Sequence, residues 1–142
     1  MASAGSRALA AARGWVGVRF RAQGCDPATG FDCVGLVWAA YAAAGVRIER
    51  PRGYPLRGWA RGRVEAGLAA AGFVPTDGVA RDGDVALIAF AAGQLHLGLI
   101  GAARLVHAHA GLRRVVETPL DGELNAAQRW RLCSFPLDGG RI

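Results

Sequence analysis

The sequence predicts an α+β domain, with helices in its first half and short strands in its second. Apolar residues recur at helical spacing as far as about Leu68, and the pattern then changes to short apolar runs separated by turns. The chain has 142 residues, 52% of them hydrophobic, enough for one real core and too few for two ordinary ones. Neither an internal repeat nor an inter-domain linker interrupts it, so residues 1–142 are expected to form a single domain.

Ser3 or Ser6 caps a first helix that runs to about Arg13 and stops at Gly14. Trp15 to Phe20 reads as a short extended entry, and Gln23 to Gly30 is a loop by its Gly, Pro and Asp content. A second helix starts near Asp32 and runs to about Ala44, with Cys33, Leu36, Val37, Ala40, Tyr41 and Ala44 on its apolar positions. Arg50 to Pro55 is a Pro/Gly-rich connector. Leu56, Ala60, Val64 and Leu68 then predict a third helix before Gly72 and Pro75. Val85 to Phe90 is a continuous apolar run of the kind found in buried strands. Leu95–Ile100, Arg104–His109, Arg113–Thr118 and Arg129–Phe135 are further strands between turns.

The net charge is +6 and every cationic side chain is arginine. That composition fits a GC-rich coding sequence and also suits attraction to an anionic polymer. The arginines are scattered from Arg7 to Arg141 without forming a run, and no nucleic-acid motif accompanies them, so no nucleic-acid partner is expected. Cys25, Cys33 and Cys133 leave at least one thiol unpaired, unlike the disulfide framework of a small secreted domain. No apolar stretch is long enough to span a membrane, and Met1 to Gly14 lacks the uninterrupted apolar core of a signal peptide. The expectation is a soluble protein, cytoplasmic when made, without a membrane partner.

The sharpest local feature is Gly30-Phe31-Asp32-Cys33-Val34-Gly35-Leu36-Val37. A thiol at the first turn of a helix lies near unpaired backbone N–H groups and the positive end of the helix dipole, which favour thiolate. Asp32 fits the cap position before it. Cys33 can also be read as a small hydrophobe on an amphipathic helix, but a core cysteine has no need of a loop–Asp–Cys–helix entrance.

A nucleophilic thiol needs a base, and the chain has only His96, His107 and His109. If Gly101-Ala102 is a two-residue type II′ turn, Ile100 faces Ala103, Gly98 faces Leu105, and His96 lies directly across from His107. Directly opposed side chains share a face, with Cβ atoms roughly 4.5–5.5 Å apart. One imidazole then accepts the thiol proton while the other fixes its ring, a Cys-His-His version of Cys-His-Asn logic. Gly98 leaves room beside the imidazole, and His109 is either a wall of the site or a plain surface residue. The same three side chains could instead hold zinc with a water as fourth ligand, although no close ligand pair of the C-x-x-C or H-E-x-x-H type exists. Cys133 is expected in the core. Cys25 could line the cleft, with nothing to serve as its base.

Four segments resemble the successive motifs of the NlpC/P60 cysteine peptidases: Phe31-Asp32-Cys33-Val34-Gly35-Leu36-Val37, Gly83-Asp84-Val85, His96-Leu97-Gly98-Leu99-Ile100 and Leu105-Val106-His107-Ala108. Their order and spacing agree over roughly Ala8 to Phe135. The resemblance implies a papain-like fold, its cysteine helix packed on an antiparallel sheet that carries the histidine. It also implies hydrolysis of peptidoglycan stem peptides at γ-D-glutamyl–diamino acid or neighbouring bonds, without a metal or organic cofactor. By position Cys33 is the nucleophile, His96 the base and His107 the orienting residue, while Asp32 matches the acid that holds the free amine of a stem-peptide L-Ala.

The chain departs from the family pattern in two places. Phe20 stands where the family usually has a tyrosine whose hydroxyl faces the site, and Val34 replaces a small polar residue. Gln23 is either a replacement amide donor for the oxyanion, beside the N–H of Cys33, or a solvated loop residue. The compact form resembles the versions encoded in phage and gene-transfer-agent tail clusters, which implies tail or baseplate partners and action in the periplasm. The alternatives are a catalytically weak or inactive structural piece of a tail tip, and a papain-like amidase or acyltransferase acting on another substrate.

Overall fold

The computed structural model describes residues 3–49, 51, 61–89, 95–121 and 127–133. Its elements are α1 (Ala4–Gly14), β1 (Cys25–Asp26), β2 (Gly30–Phe31), α2 (Cys33–Ala43), α3 (Arg61–Ala70), β3 (Phe73–Thr76), β4 (Val85–Ala89), β5 (Leu95–Gly101), β6 (Arg104–His109), β7 (Arg114–Pro119) and β8 (Gln128–Leu132). The α+β expectation holds. Six antiparallel strands form one sheet in the order β3-β8-β4-β5-β6-β7, and β1 with β2 forms a small ribbon beside the start of α2.

The N-terminal helix starts where Ser3 accepts the N–H of Ser6 at 3.1 Å, and it buries the stripe Ala8, Leu9 and Ala12. α2 carries no charged residue and is buried at every position from Cys33 to Trp38 and again at Ala40 and Tyr41. It can be apolar all round because α1 covers one side and the sheet, chiefly β5 and β6, covers another. Arg7 of α1 donates from Nε and Nη2 to the carbonyl of Ala44 at 3.2 and 3.0 Å, satisfying the C-terminal end of α2.

Strand alternation sorts the sheet into two faces. Val85, Leu87, Leu97, Leu99, Val106, Ala108, Val115 and Trp130 join the helices in the main core. Ala86, Ile88, Ile100 and Leu105 form a smaller cluster on the other face. The β7 edge is closed by the chain before it: Gly17 N–H bonds Val115 O, Val115 N–H bonds Val18 O, and Phe20 N–H bonds Arg113 O.

The Gly83-Asp84-Val85 motif joins these layers. A Cβ on Gly83 would come 2.2 Å from the carbonyl oxygen of Gly5, so α1 and the entry to β4 meet backbone to backbone. Tyr41 donates to Gly83 O at 2.5 Å. Asp84, 2% exposed, accepts two 2.8 Å bonds from the guanidinium of Arg131 on β8.

Several expectations need correction. Trp15–Gly17 forms a turn, and only Arg19 and Phe20 are extended enough to bridge neighbouring segments. β3 is an additional strand, pairing with β8, that Gly72 and Pro75 concealed by reading as punctuation. Cys133 is exposed just beyond β8 rather than in the core. The predicted connector after Pro51, the start of the third helix, Phe90 and the end of the last strand lie outside the described residues. No helix among the described residues is long and apolar enough to cross a membrane.

Candidate active site

Cys33 is the first residue of α2, and Asp32 sets it there. Asp32 has extended backbone (φ −98°, ψ −177°), its Oδ1 accepts the N–H of Gly35 at 2.7 Å, and its Oδ2 accepts the N–H of Gln23 at 2.7 Å. The carboxylate therefore ties the loop to the helix start, and it is 0% exposed. Gly35 is required by the same contact, because a Cβ there would fall 1.7 Å from the carbonyl oxygen of Gly24. Gln23 is exposed and sits at φ 62°, beside the helix start. Phe20 is half-buried, packs against the main core and bridges Phe31, two residues before the thiol. The structure thus brings Phe20, Gln23, Asp32 and Cys33 into one neighbourhood.

The histidines arrive from β5 and β6 in a register different from the expected one. The two-residue turn is Ala102-Ala103, with φ of 53° and 60°, and the ladder runs Leu99↔Val106, Ile100↔Leu105, Gly101↔Arg104. Continued, it sets His107 opposite Gly98 and His96 diagonal to His107. Gly101 is a glycine for a different reason: a Cβ there would meet Leu9 Cδ2 of α1 at 2.2 Å. The slip moves each partner by two residues, so every side chain keeps its face. His96 and His107 still meet, with His96 Nε2 2.7 Å from His107 Nδ1 and the rings edge to face at a centroid separation of 4.9 Å.

The β5–β6 ladder ends at Leu99, whereas β4–β5 continues to Leu95 and β6–β7 to His109. Ile100 bonds toward the β4 side, through Gly83 N–H to its oxygen and its own N–H to Asp84 O, so alternation points the Leu97 N–H toward β6. That N–H approaches the Cys33 sulfur, as do the N–H groups of Val34 and of Cys33 itself. The thiol therefore lies at the opening between β5 and β6, beside the residue that follows His96.

Burial, not the helix start, decides the charge state here. Desolvation pushes the Cys33 thiol up to about 12; the three N–H groups pull the other way and are outweighed, and the charge of Asp32 adds to the rise. His96 is pushed down to about 3 by desolvation, then by His107 and His109, and His107 to about 4 by desolvation and then His109. Burial thus opposes the thiolate that the helix start favours, and it disfavours the charged form of both imidazoles.

Two further side chains belong to this cluster. The His109 ring lies 5.6 Å from that of His107, tilted by 51°, and its Nδ1 accepts the N–H of Leu112 at 3.0 Å, so His109 flanks the histidine row. Thr118 of β7 puts Oγ1 2.9 Å from His107 Nε2. Sequence reading missed it because threonine is ordinary in strands, although β7 pairing sets it on the face of His107. The zinc arrangement does not fit: His96 Nε2 and His107 Nδ1 face each other, and no group of three His, Cys, Asp or Glu among the described residues could hold a metal ion.

The fold is shared with known structures. NlpC2 from Trichomonas vaginalis superposes with a TM-score of 0.67 at 18% identity, covering 93% of this chain and 48% of that one, so the chain spans about half that protein's length. The NlpC/p60 domain of the peptidoglycan hydrolase SagA gives 0.59 at 22% identity, covering 91% and 98%. RipD from Mycobacterium tuberculosis, a non-catalytic NlpC/p60 domain protein adapted to peptidoglycan binding, gives 0.58 at 18% identity, covering 95% and 100%. No curated protein sequence matches significantly. Residues 17–131 match the model of the NlpC/P60 family, from the turn before Phe20 to Arg131 of β8, and the chain belongs to that family.

Proposed function

We propose that this chain is a cysteine peptidase that hydrolyses peptidoglycan stem peptides, with γ-D-glutamyl–diamino acid bonds as its target. The observation that carries the reading is the 2.7 Å contact of His96 Nε2 with His107 Nδ1, at the strand opening where the helix-start thiol of Cys33 lies. SagA, a peptidoglycan hydrolase of the same fold, supports the substrate class.

Because the resting pair is neutral, the proton moves during attack. His96 takes it from Cys33 as the sulfur adds to the scissile carbonyl, and His107 holds the ring and shares the imidazolium charge. In this reading the N–H groups of Cys33 and Val34 at the start of α2 turn from the sulfur to the developing oxyanion, and Gln23 adds an amide donor. His96 then returns the proton to the leaving amine, and water releases the acyl-enzyme. Phe20 supplies a ring to the cleft without a hydroxyl. A role for Asp32 in holding a substrate amine requires substrate to open a carboxylate that is otherwise fully buried. The proposal extends to a tail-associated role with action in the periplasm, on the resemblance to tail-encoded members of the family alone.

Burial of Cys33, 9% exposed, favours a second reading, in which the domain binds peptidoglycan without cutting it, as RipD does. Mass spectrometry of L-Ala-γ-D-Glu-diaminopimelate after incubation with wild type and Cys33→Ala separates the two. Release of L-Ala-γ-D-Glu by wild type alone establishes the peptidase and its bond. Intact peptide and intact muropeptides with wild type overturn it in favour of binding.

A further inference from the structure

His107 has two ring nitrogens, and the roles of Cys33, His96 and His107 account for only one of them. Nδ1 meets His96, while Nε2 lies 2.9 Å from the hydroxyl oxygen of Thr118. Thr118 reaches it by sheet geometry. It pairs with Leu105 while His107 pairs with Val116, so Thr118 stands diagonal to His107 on the same face, one step along β7. The apolar Val116 directly opposite cannot serve that nitrogen. A β-branched side chain on a paired strand is also stiff about χ1, which makes its hydroxyl a fixed reference.

Both imidazoles are held neutral by burial, so each carries one N–H. Two protonation patterns then satisfy both contacts. In the first, Thr118 O–H donates to His107 Nε2, His107 Nδ1–H donates to His96 Nε2, and His96 keeps its proton on Nδ1. In that pattern neither His96 nitrogen has a lone pair for the thiol. In the second, His96 Nε2–H donates to His107 Nδ1, His107 Nε2–H donates to Thr118 Oγ1, and His96 Nδ1 keeps its lone pair. A hydroxyl accepts as readily as it donates, so Thr118 permits the second pattern.

We propose that Thr118 is a positioning residue for the reaction: its hydroxyl oxygen accepts the Nε2–H of His107 and so holds both histidines in the tautomers that let His96 take the proton of Cys33. The inference rests on the reading of His96 as the base. The proton of Cys33 passes to His96 Nδ1, His96 keeps its Nε2–H bonded to His107, and the same proton later goes to the leaving amine, so the outer N–H groups never move. Misplacing the proton of a catalytic imidazole costs rate without costing substrate affinity.

Thr118→Val, nearly the same shape without the acceptor, and Thr118→Ser, which keeps it, test this in the full chain. Ring-nitrogen ¹H–¹⁵N spectra at pH 7 report the tautomer of His107 independently of activity. Wild type and Thr118→Ser should show His107 protonated at Nε2, and Thr118→Val should shift it toward Nδ1. With L-Ala-γ-D-Glu-diaminopimelate, Thr118→Val should lower kcat about 3- to 10-fold at unchanged KM, the worth of one neutral hydrogen bond, and Thr118→Ser should restore most of it. An Nδ1-protonated His107 in wild type, an unchanged tautomer in Thr118→Val, or equal impairment by both variants overturns the assignment. If wild type cleaves no peptide, the peptidase reading falls, and the spectra still decide what Thr118 does.

Discussion

Two clusters of buried polar side chains stand on the same sheet and are built on opposite terms. Around Asp84 the carboxylate itself is met: Arg131 closes on it with two 2.8 Å bonds, the N–H of Arg81 adds a third at 3.0 Å, and Arg129 Nη1 stands 3.9 Å away. Around His107 the groups are not paired with opposite charges; burial instead disfavours the charged forms of His96, His107 and Cys33. The first cluster keeps its ions by pairing them and so locks β4 to β8. The second keeps its groups in their neutral forms, so its cost to stability grows as pH falls below the ordinary imidazole range. The contrast separates what the Gly83-Asp84 motif does from what the Cys33 and histidine motifs do, although all are buried and polar.

The largest effect that could break this contrast is on catalysis. Cys33→Ala should abolish peptide release, by about 10⁴-fold or more, while leaving the urea midpoint close to wild type. Comparable loss of stability in that variant would place Cys33 with the structural cluster. Asp84→Ala should do the reverse. Removing one partner of a buried pair leaves Arg131 uncompensated, and unfolding should become easier by about 2–4 kcal/mol, somewhat below a fully buried pair because Arg131 is partly exposed. The folded fraction should keep its activity per molecule; a specific loss of kcat would tie Asp84 to the chemistry instead.

Asp32 belongs to both worlds and sharpens the comparison. Asp32→Ala removes the cap of α2 and its bond to Gln23, and should cost about 1–2 kcal/mol in denaturant unfolding. It also removes a negative neighbour that raises the Cys33 pKa, so the thiol should titrate lower in that variant. An unchanged or higher thiol pKa, read from the pH dependence of iodoacetamide alkylation, would contradict this.

The last test is the pH dependence of stability. Unfolded, both imidazoles take a proton as pH falls through about 6.5, whereas folded they resist it down to about 4 for His107 and about 3 for His96. The unfolded chain binds more protons in that window, so stability declines as pH falls below 6.5, by up to about 1.4 kcal/mol per pH unit for each imidazole. Urea midpoints between pH 7 and pH 5 should show the decline, and a His96→Gln/His107→Gln double variant should flatten it. A flat wild-type profile would mean that the histidine cluster tolerates charge as the Asp84 cluster does.

Much of the candidate site was legible in local pattern. Asp32 as cap and Cys33 as first helical residue follow from a loop–Asp–Cys–apolar run, and both elements stand within a residue of their expected place. That His96, Gly98, His107 and His109 share one face follows from the two-residue period of a strand, which no slip by an even number can undo. The hairpin register was not legible. Gly101 carried the signal of a turn glycine, but it is small because Leu9, more than ninety residues earlier in the chain, packs against it. The turn moved to Ala102-Ala103, a pair that local preference disfavours at positive φ. β3 escaped notice because its pairing partner β8 lies more than fifty residues away.

By itself the sequence determined which residues could do the chemistry and on which faces they stand, since helix capping and strand alternation are set by neighbours along the chain. The tertiary structure alone decided the rest: that His107 stands beside Gly98 just past the last ladder pair, that Thr118 closes the histidine row, and that burial raises the thiol pKa in spite of its helix start. Register depends on what packs against a hairpin from elsewhere. Desolvation depends on all the surfaces that exclude water from a group. Both are sums over contacts distant in sequence, and no local pattern contains them.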